Sequence, residues 1–132
     1  MEFSMTITID FNSTVPLYQQ IKSAIIDVIS AGLLCEGDAL PSVRQLANDV
    51  GVNMLTINKV YTMLRQEGYI QINRKSGAVV ALHLSVSGEF YDKIAAQIRL
   101  IATQAHSRNM SRADFIALCD SIYQELDRRS IK

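Results

Sequence analysis

A chain of 132 residues is the size of one ordinary domain with room for a short appendage. Hydrophobic residues make up 48% and charged residues 20%, the balance of a soluble globule, and no apolar run approaches the roughly 18 residues that cross a bilayer. Thirteen basic and thirteen acidic side chains cancel, so any affinity for a polyanion or a membrane must come from where charge is placed rather than from its total.

Met1 to Phe11 lack the basic end and apolar core of a secretion signal. Within them, Thr6-Ile7-Thr8-Ile9-Asp10-Phe11 alternates polar and apolar side chains, which predicts a short strand with one buried face. Asn12-Ser13-Thr14 breaks the alternation, and Pro16 suits the first turn of a helix. Leu17, Ile21, Ile25, Val28 and Ile29 then recur at helical spacing, and Gly32 suits the C-terminal cap. Cys35-Glu36-Gly37-Asp38 reads as a loop that ends at Pro41.

A second helix is expected from Ser42. Ser42-Val43-Arg44-Gln45 has the form of a capping box, in which a hydroxyl and a side-chain amide each satisfy an unpaired backbone N–H. Val43, Leu46, Ala47 and Val50 form its inner stripe, and Gly51 stops it. After a tight turn, Asn53 can cap a third helix running to about Gln66, which Glu67-Gly68 ends. Two short helices across so brief a turn make the helix-turn-helix pattern. Tyr69 to Asn73 and Ala78 to Leu82 follow as two apolar, partly β-branched runs around Arg74-Lys75-Ser76-Gly77, a β-hairpin with glycine at a turn position. Three helices and a hairpin over residues 16–83 are a winged helix-turn-helix plan.

Beyond Leu84 the texture changes. Ser85 to Gly88 is a joint of small and polar residues, and two more helical patterns follow, separated by Ser107-Arg108-Asn109. Phe90, Ile94, Ile98, Ile101 and Ala105 fall within a sector of about 80°. Ser111-Arg112-Ala113-Asp114 looks like another N-terminal cap, after which Phe115, Cys119, Ile122 and Leu126 share one face. The expected fold is mainly α with a small β-hairpin (α+β): a winged helix-turn-helix domain over residues 6–84, then a two-helix tail over residues 85–132.

On the third helix Ile57, Val60, Tyr61 and Leu64 point one way, leaving Leu55, Asn58, Lys59, Thr62, Arg65 and Gln66 on the other side. Amides there can pair with adenine, cations with guanine or phosphate, and hydroxyls with either. Any solvated helix carries similar residues; what distinguishes this one is its place as second helix of the pair, before a basic wing. At the wing, Arg74 and Lys75 suit phosphates or a narrow minor groove, and Gly77 permits close backbone approach, although many solvated hairpin tips are basic too. Arg44 lies one turn inside the second helix, where that helix would cross a DNA backbone.

Pro16-Leu17-Tyr18-Gln19-Gln20-Ile21, Gly37-Asp38 and Leu40-Pro41-Ser42-Val43-Arg44-Gln45-Leu46-Ala47 resemble the GntR family of bacterial transcription regulators. Gly51-Val52-Asn53, Thr56, Lys59-Val60-Tyr61, Leu64 and Glu67-Gly68-Tyr69-Ile70 continue the likeness, which covers about residues 6–82. The short helical tail is similar to that of the YtrA-like subgroup, where two helices replace a large effector domain. The resemblance implies a sequence-specific repressor, bound as a homodimer to a palindromic operator in double-stranded DNA and controlling an ABC transporter operon. It also implies DNA contacts from Arg44, from the start of the third helix over Asn53, Met54, Leu55 and Thr56, and from Gly77. Together with Ser42, Asn58, Lys59, Arg74, Lys75 and Ser76 these make the expected DNA-binding set. The expected dimerisation set is Phe90, Ile94, Ile98, Ile101, Phe115, Cys119, Ile122 and Leu126. Three departures from the family pattern bear on the operator. Met54 stands where many members carry Arg or Pro, Asn58 replaces a common basic residue, and Lys75-Ser76-Gly77-Ala78 replaces Gly-x-Gly-Thr.

Other chemistry finds little support. His83 and His106 have no partners at ligand spacing, and Cys35 and Cys119 are too few for a disulfide scaffold. Cys119 is expected in a core or an interface, and nothing cationic adjoins Cys35 to make it a reactive thiol. No nucleophile elbow, phosphate-cradling loop or dinucleotide fingerprint occurs, so no catalysis, metal or cofactor is expected, in a cytoplasmic and reducing setting. Two other functions stay open: a winged helix that binds protein, and a regulator that senses a small-molecule effector between tail helices of a dimer. Two helices alone do not enclose a typical pocket of about 300–1,000 Å³.

Overall fold

The computed structural model describes residues 7–130. In chain order its elements are α1 (Leu17–Ser30), α2 (Val43–Val50), α3 (Met54–Gln66), β1 (Ile70–Asn73), β2 (Gly77–Val80), α4 (Gly88–Ser107) and α5 (Arg112–Arg129). Residues 7–84 form one unit and residues 85–130 another.

The first unit is organised around α3, which packs on α1, α2 and β1. Its core takes Ile21, Ile25 and Ile29 from α1, Leu46 and Ala47 from α2, and Ile57, Val60, Tyr61 and Leu64 from α3. Leu34, Leu40, Ile70 and Val80 close it from the loop and the hairpin. The inner stripe expected for α3 is buried in full. Local chemistry sets the ends of the two central helices. Asn53 Oδ1 accepts from Leu55 N at 2.8 Å, and Gly51 adopts φ +80°, the left-handed conformation that lets the chain leave α2. Only half of the expected capping box forms. Ser42 Oγ accepts from Gln45 N at 3.1 Å, with no return bond from the Gln45 side chain among the described residues. Gln45 is exposed, so water serves its amide equally well.

The strand expected near the start does not form among the described residues 7–11. Ile7 and Ile9 do pack toward the core while Thr8 and Asp10 face solvent, as the alternation requires. The backbone lacks a neighbouring strand, however, and a side chain takes that place. Gln20 accepts from Asp10 N at 3.0 Å and donates to Asp10 O at 3.0 Å and to Val15 O at 2.8 Å. Pro16 is the N-cap of α1, one residue before its expected position.

The hairpin has the expected antiparallel pairing, with Ile70 opposite Val80 and Asn73 opposite Gly77. Arg74-Lys75-Ser76 forms its turn, Gly77 closing it at φ +70° and Lys75 N donating to Asn73 Oδ1 at 3.0 Å. The loop before α2 adds an unanticipated third edge. Ala39 bridges to Val79, Gly37 N donates to Val80 O at 2.9 Å, Val80 N to Asp38 O at 2.8 Å, and Leu40 N to Ala78 O at 2.8 Å.

In the second unit, Ser87 Oγ accepts from Phe90 N and Ser111 Oγ from Asp114 N, so each helix starts on a serine cap. Gly88, assigned by sequence to the joint, is the first residue of α4. Neither helix buries a single residue. Ile94, Ile98, Ile101 and Ile122 are 38%, 53%, 56% and 48% exposed, and Phe90, Phe115 and Leu126 are half-buried. The helices do not hide their stripes on one another along their lengths; they converge near their connecting turn, where Ile98, Ala102, Phe115 and Cys119 line part of a groove of about 430 Å³. Of the two places expected for Cys119, a core or an interface, its exposure removes the core of the protomer. An apolar stripe specifies that burial is needed without specifying the partner.

Candidate nucleic-acid interface

With four residues of α3 committed to the core, helical geometry turns the remainder outward. Leu55, Asn58, Lys59, Thr62, Arg65 and Gln66 are all exposed, Leu55 to 73%. Met54 is exposed and Thr56 half-buried at the first turn. Asn53 is exposed too, but its oxygen is already engaged by the cap, so its free groups are the two amide hydrogens. Tyr61 anchors the helix from behind. Its hydroxyl donates to Pro41 O at 2.7 Å, and burial pushes the phenol's pKa upward, which keeps it a donor. The bond ties α3 to the segment that enters α2.

Ser42 and Arg44 are exposed at the start of α2. They line, with Asn48 and Met54, an open groove of about 700 Å³ beside the α2–α3 turn. The fold thus brings Ser42, Arg44 and Met54 to one depression, next to Asn53, Leu55 and Thr56 on the first turn of α3. Arg74, Lys75, Ser76 and Gly77 stand apart at the hairpin tip, all exposed. A Cβ on Gly77 would meet nothing within 4 Å, so this position asks for glycine through its φ of +70° rather than through crowding.

Two residues that the composition of the α3 face did not single out shape this surface. Tyr18, half-buried on α1, has its ring under the Lys59 ammonium, 3.9 Å from nitrogen to centroid. Gln20 secures the segment leading into α1. Both lie in the Pro16–Ile21 motif, but a contact between α1 and α3 leaves no periodic signature. Lys22, by contrast, is spent inside the fold, paired with Glu67 at 2.6 Å across α1 and the end of α3.

What this surface offers chemically is amides, hydroxyls and exposed cations, the groups that meet base edges and phosphates. Among the described residues no three His, Cys, Asp or Glu side chains gather as a metal site. Among the described residues no helix is long and apolar enough to cross a membrane.

Comparison with known proteins agrees with this geometry. Residues 17–80 match the family model described as bacterial regulatory proteins, gntR family. The chain is 33% identical over 103 residues to the HTH-type transcriptional repressor YtrA of Bacillus subtilis (strain 168), covering 76% of this chain and 78% of the relative. Among solved structures it is similar to YtrA from Sulfolobus acidocaldarius, a GntR-family transcription factor, at 39% identity and a TM-score of 0.65. That match covers 76% of this chain and 97% of the other. It is also similar to the DNA-binding domain of AraR in complex with operator ORR3, at 26% identity and a TM-score of 0.50, covering 60% of this chain and 93% of that one. From α1 through the hairpin, with the repressor relative matched over most of its length, the chain belongs to the GntR family and is a DNA-binding transcription regulator, not an enzyme.

Proposed function

We propose that the chain is a cytoplasmic repressor that binds a palindromic operator as a homodimer, α3 entering the major groove and the hairpin tip reaching the flanking backbone or minor groove. The observation that carries this reading is the division of α3 into a wholly buried inner stripe and a polar outer face beside Arg44. Repression is supported by the name of the Bacillus subtilis relative, and an ABC transporter operon as target by the likeness to the YtrA-like subgroup. Residues 85–132 act as the dimerisation segment, joining subunits through Phe90, Ile94, Ile98, Ile101, Phe115, Cys119, Ile122 and Leu126. Twofold-related α3 helices then read half-sites about 10–10.5 bp apart, or a multiple of that spacing.

Selection of bound sequences from a random duplex pool tests the reading directly. A recurrent palindrome is expected; a pool that stays unenriched overturns it. On the selected operator, Asn58→Ala should cost about 1–3 kcal/mol of binding free energy and relax the preference at one base pair. Arg44→Ala should weaken operator and unrelated duplex alike and lower the slope of log K against log salt by about one. A changed base preference with an unchanged slope would instead assign Arg44 to base reading.

A further inference from the structure

Lys59 sits on the outer face of α3, and its side chain is long enough to serve either of two ends. It can donate to a guanine edge, which would make it part of sequence recognition, or meet a phosphate, which would make it indifferent to sequence. The contact it makes separates these. Its ammonium lies 3.9 Å from the centroid of the Tyr18 ring, and Tyr18 belongs to α1, outside the α2–α3 pair. Tyr18 is half-buried and packed against the core, so the ring is a fixed platform and the flexible lysine stem conforms to it. A cation over an aromatic face is drawn to the ring's negative quadrupole, and a lysine ammonium seated there still has N–H donors left for a second partner.

From this we infer that Tyr18 is a positioning residue for DNA binding. Its ring holds the Lys59 ammonium at the seam between α1 and α3, away from the outermost line of α3, so that Lys59 binds phosphate and adds sequence-independent affinity. Base reading by α3 is then left to residues such as Asn58 and Thr62, which have no such restraint among the described residues. A lysine seated on a ring also loses less side-chain freedom when it meets its phosphate, because part of the ordering is already complete in the free protein. This inference rests on the DNA-facing orientation of α3 proposed above.

The experiment is a double-substitution cycle on the full chain, binding both the selected operator and a shuffled duplex across a salt series. Lys59→Ala should weaken both duplexes by the same factor and lower the salt slope by about one. Tyr18→Leu, which keeps apolar bulk but removes the ring, should weaken both by about two- to five-fold, the usual worth of an exposed cation–π contact. Tyr18→Phe should bind like the parent chain. In the Lys59→Ala background, Tyr18→Leu should have no further effect, an outcome that a purely structural tyrosine would not give. Additive effects of the two substitutions overturn the positioning role. A Lys59→Ala loss confined to the operator overturns the phosphate assignment, and Lys59 is exposed, so that arm remains decisive even where Tyr18→Leu lowers the folded fraction. Failure of the underlying reading looks different: the parent chain would then show neither preference for the operator nor salt dependence.

Discussion

Ending the chain at Leu84 should leave a folded monomer whose affinity for the full palindrome is lower by orders of magnitude. The core of residues 7–84 draws on no side chain of α4 or α5, so the winged helix retains every residue it buries. The loss falls on assembly. Burying a large apolar side chain is worth about 1.5–3 kcal/mol, and α4 and α5 bury none of theirs within the protomer. Tyr91, Leu100, Ile116, Leu118 and Tyr123, all more than half exposed, widen the apolar surface beyond the two stripes. A surface of that character is rarely left bare on a monomer. Once two subunits are joined, the second α3 searches for its half-site at an effective concentration set by the tether, and separation forfeits that gain. Sedimentation and binding to half-site and full-site duplexes check both parts. Ile98→Asp in the full chain should mimic the truncation, because a residue 53% exposed in the protomer can take a charge without unfolding it. A truncated chain that stays dimeric and binds the palindrome at full strength would falsify the assignment.

Leu64→Ala should cost about 2–5 kcal/mol of folding stability, since Leu64 is fully buried where α3 meets the rest of the core. Against a typical total of about 5–15 kcal/mol, that loss is large enough to leave part of the population unfolded near physiological temperature. Two residues away on the outer face, Thr62→Ala should change stability by no more than about 0.5 kcal/mol. Urea unfolding of the two variants measures the contrast. Equal losses would mean that α3 lacks the division between core and surface on which its proposed role depends.

The contrast explains what could be read from sequence alone. Inner and outer faces of α3 follow from the 3.6-residue period, and the Ser42 and Asn53 caps follow from side chains bonding a backbone two or three residues away. Such relations are local, and the sequence displays them. The misread segment at residues 7–11 had the right period for a strand, but a strand also needs a neighbour, and the bonds came from Gln20, ten residues on. The pairing of Ala39 with Val79 and the stacking of Lys59 on Tyr18 are likewise tertiary. In α4 and α5 the stripes were legible, whereas the failure of the two helices to pack along each other depends on the direction in which Arg108-Asn109-Met110 releases the chain, with Asn109 at φ +64°. Chemistry-bearing residues of the candidate interface were legible by type and exposure; their grouping around the α2–α3 turn required the fold.

The extra edge that residues 37–40 add to the hairpin has a mechanical consequence. Those residues run directly into Pro41 and Ser42, so the same few backbone bonds that hold β2 also fix the threshold of α2. Hairpin and helix entrance are thereby tied together like the two jaws of a caliper. In the DNA-binding arrangement proposed above, with Arg44 on one jaw and Arg74 and Lys75 on the other, a duplex whose groove width differs from the gap between them must itself deform to touch both. Stiff and pliable base steps would then be distinguished by the work of that deformation, at positions no side chain reaches.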